Sequence, residues 1–258
     1  MIRVGVVGAT GKMGREVCAA VSAAPDLDLV AAVSRSLTGA TVADAIGIEG
    51  AEVVLSDALQ SLADAKAEVL VDFTAAAYAP EHVAWAIEHG INVVVGTTGF
   101  EIDEAWRVAP VGVVVAPNFA VGAVLMMRFA EQAARHFDAV EVIERHHDQK
   151  RDAPSGTAIA TARRIAAARA GTFPAPPGDD LHPGARGADV DGVRVHALRL
   201  PGSVAHQEVV FGGQGQTLTI RHDTTDRSAF VPGVLIAIRE VGRRPGLTVG
   251  LEALLDEG

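Results

Sequence analysis

Apolar and polar positions follow two rhythms along the chain, and the rhythm changes once. Up to about residue 118, short apolar runs rich in β-branched residues alternate with segments whose apolar residues recur at helical spacing. The runs Ile2–Val7, Leu27–Val33, Val69–Phe73, Asn92–Val95 and Val111–Ala116 predict strands covered on both faces, as in a parallel sheet. Between them, Lys12–Ala24 and Pro80–His89 predict amphipathic helices. Pro80 suits the start of the second, where a missing N–H has no partner to lose. Strand–helix alternation of this kind predicts a doubly wound α/β sheet.

After Pro117-Asn118 the pattern changes. A helix is expected over Val121–Phe137, then a strand at Ala139–Glu144, a dense polar loop, and an Ala-rich helix from Ala158 to about Ala170. Gly171–Gly187 reads as a long Pro- and Gly-rich loop. Strands are expected at Val193–Leu200, His206–Phe211 and Gln216–His222, with Gly212-Gly213 as a hairpin turn between the last two. Consecutive strands without helices predict a second, central α+β domain with a mixed, largely antiparallel sheet. Phe230–Val241 returns to helix, with Pro232 near its start.

At 258 residues, 49% apolar and 21% charged, the chain can build one large domain or two modest ones. Aromatics are 4%, so Ala, Val, Ile and Leu must form the core. A formal charge of -10 argues against nucleic acid as a partner. An anionic ligand must then be met by locally clustered positive charge. The single cysteine, Cys18, excludes an intrachain disulfide and a cysteine-rich metal site. No apolar run reaches the roughly 20 residues of a membrane span, and no secretion signal is recognisable at the N-terminus. A cytoplasmic protein without a membrane partner is expected.

Gly8-Ala9-Thr10-Gly11-Lys12-Met13-Gly14 directly follows the first predicted strand and opens a helix. Its glycines permit a tight turn and close backbone approach. The helix N-terminus offers free N–H groups and partial positive charge to a pyrophosphate. The context is that of a Rossmann-type dinucleotide site. At the end of the second strand, an acid would bind a ribose 2′-hydroxyl, whereas an arginine accepts a 2′-phosphate. The sequence there is Val33-Ser34-Arg35-Ser36, so Arg35 and its flanking hydroxyls favour NADPH, with NADH possible.

The polar loop runs Glu144-Arg145-His146-His147-Asp148-Gln149-Lys150-Arg151-Asp152-Ala153-Pro154-Ser155-Gly156-Thr157. Arg145, His146, His147, Lys150 and Arg151 gather positive charge in an acidic protein. Ser155 stands where a helix N-cap belongs, with Gly156 and Thr157 in the first turn, a ready carboxylate site. Lys150 can add a full charge to the same anion, and a histidine titrating near neutrality suits proton transfer. On extended backbone His146 and His147 point opposite ways and so have different roles. No third metal ligand stands at a standard spacing, so no metal is expected.

These stretches closely resemble the 4-hydroxy-tetrahydrodipicolinate reductase (dihydrodipicolinate reductase) family. The likeness extends to Asp72-Phe73-Thr74, Gly96-Thr97-Thr98-Gly99-Phe100, Ala116-Pro117-Asn118-Phe119, Gly184-Ala185-Arg186-Gly187 and Arg221-His222-Asp223, and so covers essentially the whole chain. The resemblance implies that Gly8, Ala9, Thr10, Gly11, Lys12 and Met13 hold the pyrophosphate, and that Arg35, beside Ser34, contacts the adenosine ribose or its phosphate. It implies that Gly96, Thr97 and Thr98, with Ala116, Pro117, Asn118 and Phe119, line the nicotinamide end. His146 would be the proton donor, Lys150 its catalytic partner, and His147, Lys150, Ser155, Gly156 and Thr157 the carboxylate ligands. Many relatives carry an acid where Ser34 stands.

The family reduces a cyclic dicarboxylate imine, formed as 4-hydroxy-tetrahydrodipicolinate loses water, to tetrahydrodipicolinate in lysine and diaminopimelate synthesis. The resemblance also implies a nucleotide domain over residues 1–118 and 228–258, a substrate and oligomerisation domain over 119–227, and a homotetramer built through the central sheet. Two other reductase classes fail on single residues. An aspartate-semialdehyde type dehydrogenase needs a nucleophilic cysteine, but Cys18 lies on the first helix. A short-chain dehydrogenase needs Tyr-x-x-x-Lys, but Tyr78 is followed at that spacing by His82. A redox sensor that holds NADPH without turnover is the alternative of a different class, and it leaves the His146–Thr157 loop without a purpose.

Overall fold

The computed structural model describes residues 1–169, 171–174 and 177–255. The chain forms two compact units: Met1–Phe119 together with the stretch from Arg227 onward, and Ala120–Asp226. The first unit begins with β1 (Ile2–Val7), α1 (Lys12–Ala23), β2 (Leu27–Val33), α2 (Val42–Ile46), β3 (Leu55–Ser56) and α3 (Gln60–Asp64). It continues with β4 (Val69–Asp72), α4 (Ala79–Glu88), β5 (Asn92–Val95) and β6 (Gly112–Val115). The second unit holds α5 (Val121–Ala133), β7 (Ala139–His146), α6 (Gly156–Ala168), β8 (Ala188–Val190), β9 (Val193–Arg199), β10 (Ala205–Gly213) and β11 (Gln216–Thr224). The chain returns to the first unit with α7 (Val231–Glu240), β12 (Gly246–Val249) and α8 (Glu252–Leu255).

The first unit is a seven-stranded parallel sheet in the order β12-β6-β5-β4-β1-β2-β3. From β1 the chain winds outward through β2 and β3, then crosses to β4 and winds the other way. The order therefore reverses between β1 and β4, and a crevice opens over their carboxyl ends. The strands are nearly all apolar because both faces are covered: Val4, Val6, Leu70, Val71, Val93, Val94, Val113 and Val114 are all buried.

The second unit is a five-stranded sheet ordered β11-β10-β7-β9-β8. β7 and β9 run parallel because α6 lies between them in the chain, and the other pairings are antiparallel. Val140 and Val142 on β7, Val193 and Val195 on β9, and Val209 and Phe211 on β10 form one face. That face packs on Ala130 and Ala134 of the α5 segment and on Ala158, Ala162 and Ile165 of α6. Period-two alternation puts Glu144 and His146 on the same face as Val140 and Val142.

The sheet is mixed and largely antiparallel as expected, but its hairpin is placed differently. Gly212 and Gly213 are extended and paired in β10, and Gly213 faces Gln216 across the turn. The turn is therefore Gln214-Gly215, with Gly215 supplying the positive φ of 72°. The helix expected to reach Phe137 ends at Ala133, and the Phe137 ring packs against Phe211 at 5.4 Å. α6 begins two residues earlier than expected, behind its Ser155 cap. The expected last residue of that helix, Ala170, lies outside the described residues, as do residues 175 and 176 of the long loop and 256–258. β3, β8, β12, α2 and α3 are too short for a period to register. Among the described residues, no helix is long and apolar enough to cross a membrane.

Candidate active site

In the first unit, the turn after β1 is built around glycines that the chain itself requires. Gly8 has φ +86°, and a Cβ there would stand 2.4 Å from the Phe73 carbonyl oxygen. A Cβ on Gly14 would lie 2.0 Å from the Gly8 carbonyl oxygen, while one on Gly11 would reach the same oxygen at 3.1 Å. α1 starts with Gly11 at its N-cap and no capping side chain, which leaves first-turn N–H groups facing outward.

Beside this turn lies a cavity of about 530 Å³ whose wall includes Gly8, Thr10, Gly11, Ser34, Arg35 and Ser36. The Thr10 hydroxyl is 2.6 Å from that of Ser34 and 3.0 Å from that of Ser36. Arg35 donates to the Tyr78 hydroxyl at 2.9 Å, and its guanidinium carbon lies 4.6 Å from the Tyr78 ring centroid. That aromatic contact holds the cation at the cavity wall. A second cavity of about 280 Å³ shares Phe73 and Thr74 with the first and is lined by Met13, Gly96, Thr97 and Thr98. The uncapped helix end, the close-packed glycines and the two adjoining cavities fit a dinucleotide.

Between the two cavities Asp72 closes β4 and is fully buried. Its oxygens accept from His82 Nδ1 at 2.5 Å, Thr97 Oγ1 at 2.5 Å, Thr74 Oγ1 at 2.9 Å and the Thr74 N–H at 3.1 Å. Burial opposes the charge, but the bonds from His82 and Thr97 outweigh it and hold this carboxyl below the usual aspartate range. Thr97 is thus committed to the strand ends, and it places Gly96 and Thr98 beside the cavity. A Cβ on Gly96 would meet the Phe73 ring at 2.0 Å, and that ring packs on Phe119 at 5.9 Å.

Several residues expected here serve the fold by their contacts. Ala9 is buried, and its N–H donates to the Val33 carbonyl at 3.1 Å. Ala116 and Phe119 are buried, the Ala116 N–H bonding Val95 at 3.1 Å, while Lys12 and Pro117 are exposed and Asn118 is half-buried. The sequence reading missed Tyr78 and His82, which line the cavity, and Asp57, an acid just past β3 on the same wall.

In the second unit the polar loop is organised by a carboxylate that the sequence reading gave no role. Glu144 is fully buried. Its Oε2 accepts from His146 Nδ1 at 2.5 Å and Arg199 Nη1 at 2.9 Å; its Oε1 accepts from Arg199 Nη2 at 2.9 Å and the Ser155 N–H at 3.0 Å. Burial works against this charge, and the bonds from His146, Arg199 and Ser155 overcome it, lowering the carboxyl below its ordinary value. With Glu144 ionised, His146 carries a proton on Nδ1 and leaves Nε2 for another partner.

Arg199 Nη2 also donates to the Asp152 carbonyl at 2.6 Å, and both Asp152 carboxylate oxygens hold Lys150 Nζ at 2.8 Å. Ser155 caps α6, its hydroxyl accepting from the Ala158 N–H at 3.2 Å. Among the described residues, no acceptor meets the N–H groups of Gly156 and Thr157. A Cβ on Gly156 would find nothing within 4 Å. His147 lies half-buried beyond the end of β7, its carbonyl accepting from the Lys150 N–H at 3.2 Å. Glu144 had a local signal, since it precedes His146 by two on a strand and shares its face. Arg199 had none, because only the β7–β9 register sets it beside His146.

A family model described as dihydrodipicolinate reductase, N-terminus, matches residues 2–119, and its C-terminal counterpart matches residues 122–255. The chain is 55% identical to the 4-hydroxy-tetrahydrodipicolinate reductase of Nocardia farcinica, covering 99% of both. It is 49% identical to that of Moorella thermoacetica, covering 99% of this chain and 98% of that one. The solved dihydrodipicolinate reductase of Paenisporosarcina sp. TG-14, bound to dipicolinate, is 41% identical with a TM-score of 0.86, over 99% of this chain and 100% of that one. An NADP-bound aspartate semialdehyde dehydrogenase of Candida albicans shares 14% identity at a TM-score of 0.52, over 84% of this chain and 72% of that one, a likeness of fold alone. Cys18 is buried in α1, and that burial pushes its thiol up to about 12. The chain belongs to the dihydrodipicolinate reductase family of pyridine-nucleotide-dependent oxidoreductases.

Proposed function

We propose that the chain reduces 4-hydroxy-tetrahydrodipicolinate, by way of its dehydrated cyclic imine, to tetrahydrodipicolinate in lysine and diaminopimelate biosynthesis. The observation that carries this reading is that Glu144 anchors both the His146 imidazole and the amide that begins α6. One carboxylate thereby ties a proton donor to a helix end with two free N–H groups, which suits an anionic substrate that must receive a proton. The dipicolinate bound to the Paenisporosarcina relative belongs to the same class of cyclic dicarboxylate.

A bound nicotinamide supplies the hydride. The chain's residues supply orientation and the proton. Gly8, Thr10, Gly11 and Met13 with the N–H groups of α1 face the pyrophosphate, and Gly96, Thr97 and Thr98 border the nicotinamide end. Gly156, Thr157 and Ser155 at the helix end, with His147 and Lys150, take the substrate carboxylates. His146 Nε2 delivers the proton, and Lys150 acts as its partner once it exchanges Asp152 for substrate. Residues 1–118 and 228–258 serve the nucleotide and 119–227 the substrate.

NADPH is the preferred reductant in this reading and NADH a usable one. Its support is Arg35 held against Tyr78 beside the hydroxyls of Thr10, Ser34 and Ser36, with no acid at the end of β2. A homotetramer formed through the five-stranded sheet fits the helices packing on one of its faces, while Leu198 and Leu218 stay partly exposed. A cytoplasmic location follows from the biosynthetic role.

Mixing the protein with NADPH and freshly generated 4-hydroxy-tetrahydrodipicolinate tests the function through the absorbance of the reduced cofactor. A substrate-dependent loss of signal is expected. Tight NADPH binding with no such loss would sink the enzymatic reading in favour of a redox sensor.

A further inference from the structure

A carboxylate with no exposure is costly to keep charged unless every lone pair finds a donor. Glu144 meets that condition with bonds from three residues, and each leads to a different part of the proposed chemistry. His146 Nδ1 is the proton donor's far side. The Ser155 N–H is the first amide of the anion-binding turn. Arg199 clamps both carboxylate oxygens and extends through the Asp152 carbonyl to the residue whose side chain holds Lys150. A salt bridge serving stability alone would not need to reach all three.

We propose that Glu144 and Arg199 are positioning residues for proton transfer: Glu144 fixes the Nδ1–H form of His146 with Nε2 turned to substrate, and Arg199 keeps that carboxylate ionised and in place. This rests on reading His146 as the proton donor. In the step, the Nε2–H bond breaks and a C–H bond forms on the substrate skeleton, leaving a neutral imidazole that keeps its proton on Nδ1. Solvent then restores the Nε2 proton. Glu144 stays ionised throughout and stabilises the imidazolium before transfer.

Arg145 and His147 flank His146 in the chain, and on extended backbone their side chains point to the opposite face. Glu144 lies on its own strand and Arg199 beside it on β9, where the register pairs the two directly. On β10 its neighbours are Ala205 and, opposite Glu144, Gln207, both uncharged. α6 offers Ser155 and Thr161, and the connecting loop offers Lys150 and Asp152. Among the described residues, Glu144 is the one carboxylate bonded to the ring.

Glu144→Gln keeps the volume and removes the charge. Since it strands Arg199 without its partner, the double variant E144Q/R199M provides a neutral site that is easier to fold. For both variants kcat should fall at least about tenfold, since the ring loses the carboxylate that orients it and stabilises its imidazolium, and the basic limb of the kcat–pH profile should move to lower pH. NADPH affinity should stay within about twofold, because neither residue lines the cavities beside the Gly8–Gly14 turn. Proton NMR supplies a readout independent of turnover. The wild-type chain should show a downfield, slowly exchanging Nδ1 proton, assigned by its absence in His146→Gln and moved upfield in Glu144→Gln.

The outcomes separate the two readings. Full turnover in His146→Gln overturns the proton-donor role and this proposal with it. An inactive His146→Gln beside an unmoved pH profile in both Glu144 variants overturns the positioning role alone. If neither Glu144 variant folds, the wild-type spectrum decides, and absence of the downfield Nδ1 proton overturns the proposal.

Discussion

The N-termini of α1 and α6, both proposed above as anion sites, are built by opposite means. At α1 the N-cap is Gly11 and no side chain caps the helix. Glycines crowd the turn because the backbone passes too close for a Cβ, at 2.4 Å for Gly8 and 2.0 Å for Gly14. At α6 Ser155 caps the third helical amide and Glu144 takes the Ser155 N–H, which leaves the N–H groups of Gly156 and Thr157. Gly156 has open space where its Cβ would be. An uncapped end suits a diphosphate with many oxygens, and a half-capped one suits a single carboxylate. The comparison shows two reasons for a glycine: one is forced by the chain, the other leaves room for what binds.

The largest expected effect separates the two ends by function. Replacing His146 with Gln, or Lys150 with Met, should lower kcat by roughly 10²–10⁴-fold, the usual worth of general acid–base catalysis. NADPH affinity, measured by fluorescence titration, should change little. Equal losses in turnover and in NADPH binding would mean that these residues do not belong to the chemical step.

Gly14→Ala tests the forced glycine. The added methyl would overlap the Gly8 carbonyl, a backbone atom that cannot swing aside. Overpacking of this kind costs about 1–3 kcal/mol and should appear as a lower Tm together with weakened binding of both NADPH and NADH. A variant with unchanged Tm and cofactor affinity would show that the turn relaxes freely.

Arg35→Ala is of comparable size. Loss of a charged contact to a 2′-phosphate is worth about 1.5–3 kcal/mol, so NADPH should weaken by roughly ten- to a hundredfold while NADH changes far less. Asp57 lines the same wall and is an acid of the kind that binds a ribose 2′-hydroxyl, so loss of Arg35 should spare NADH. If the two cofactors weaken alike, Arg35 does not read the phosphate.

Much of this contrast was legible in the sequence, for a physical reason. The runs at Ile2–Val7, Leu27–Val33 and Asn92–Val95 match their strands end for end, since parallel strands covered on both faces read as nearly continuous apolar runs. The Gly8–Gly14 turn and the Ser155 cap are local devices, and local devices show in local sequence. Arg199 did not show, because it reaches Glu144 through a parallel β7–β9 pairing at a sequence separation of 55. His82 was hidden in the same way: its bond to Asp72 depends on α4 settling beside the end of β4. The hairpin was misplaced by two residues because Gly212-Gly213 and Gly215 carry the same turn signal, and only pairing chooses between them.

The smallest expected effect is the sharpest test of the open glycine. Alanine at Gly156 meets no atom of the chain within 4 Å, and it favours helix over glycine by up to about 1 kcal/mol. The Tm of Gly156→Ala should therefore hold or rise slightly, and NADPH affinity should stay unchanged. The new methyl would nonetheless stand beside the free N–H groups of Gly156 and Thr157, where a substrate carboxylate has to approach. The KM for 4-hydroxy-tetrahydrodipicolinate should rise several-fold with little change in kcat, the signature of lost uniform binding. Steady-state kinetics at saturating NADPH reads this directly. An unaltered KM would place the carboxylate elsewhere on the loop and leave α6 a structural helix; a raised KM with a raised Tm would mark Gly156 as kept for the ligand at the fold's expense.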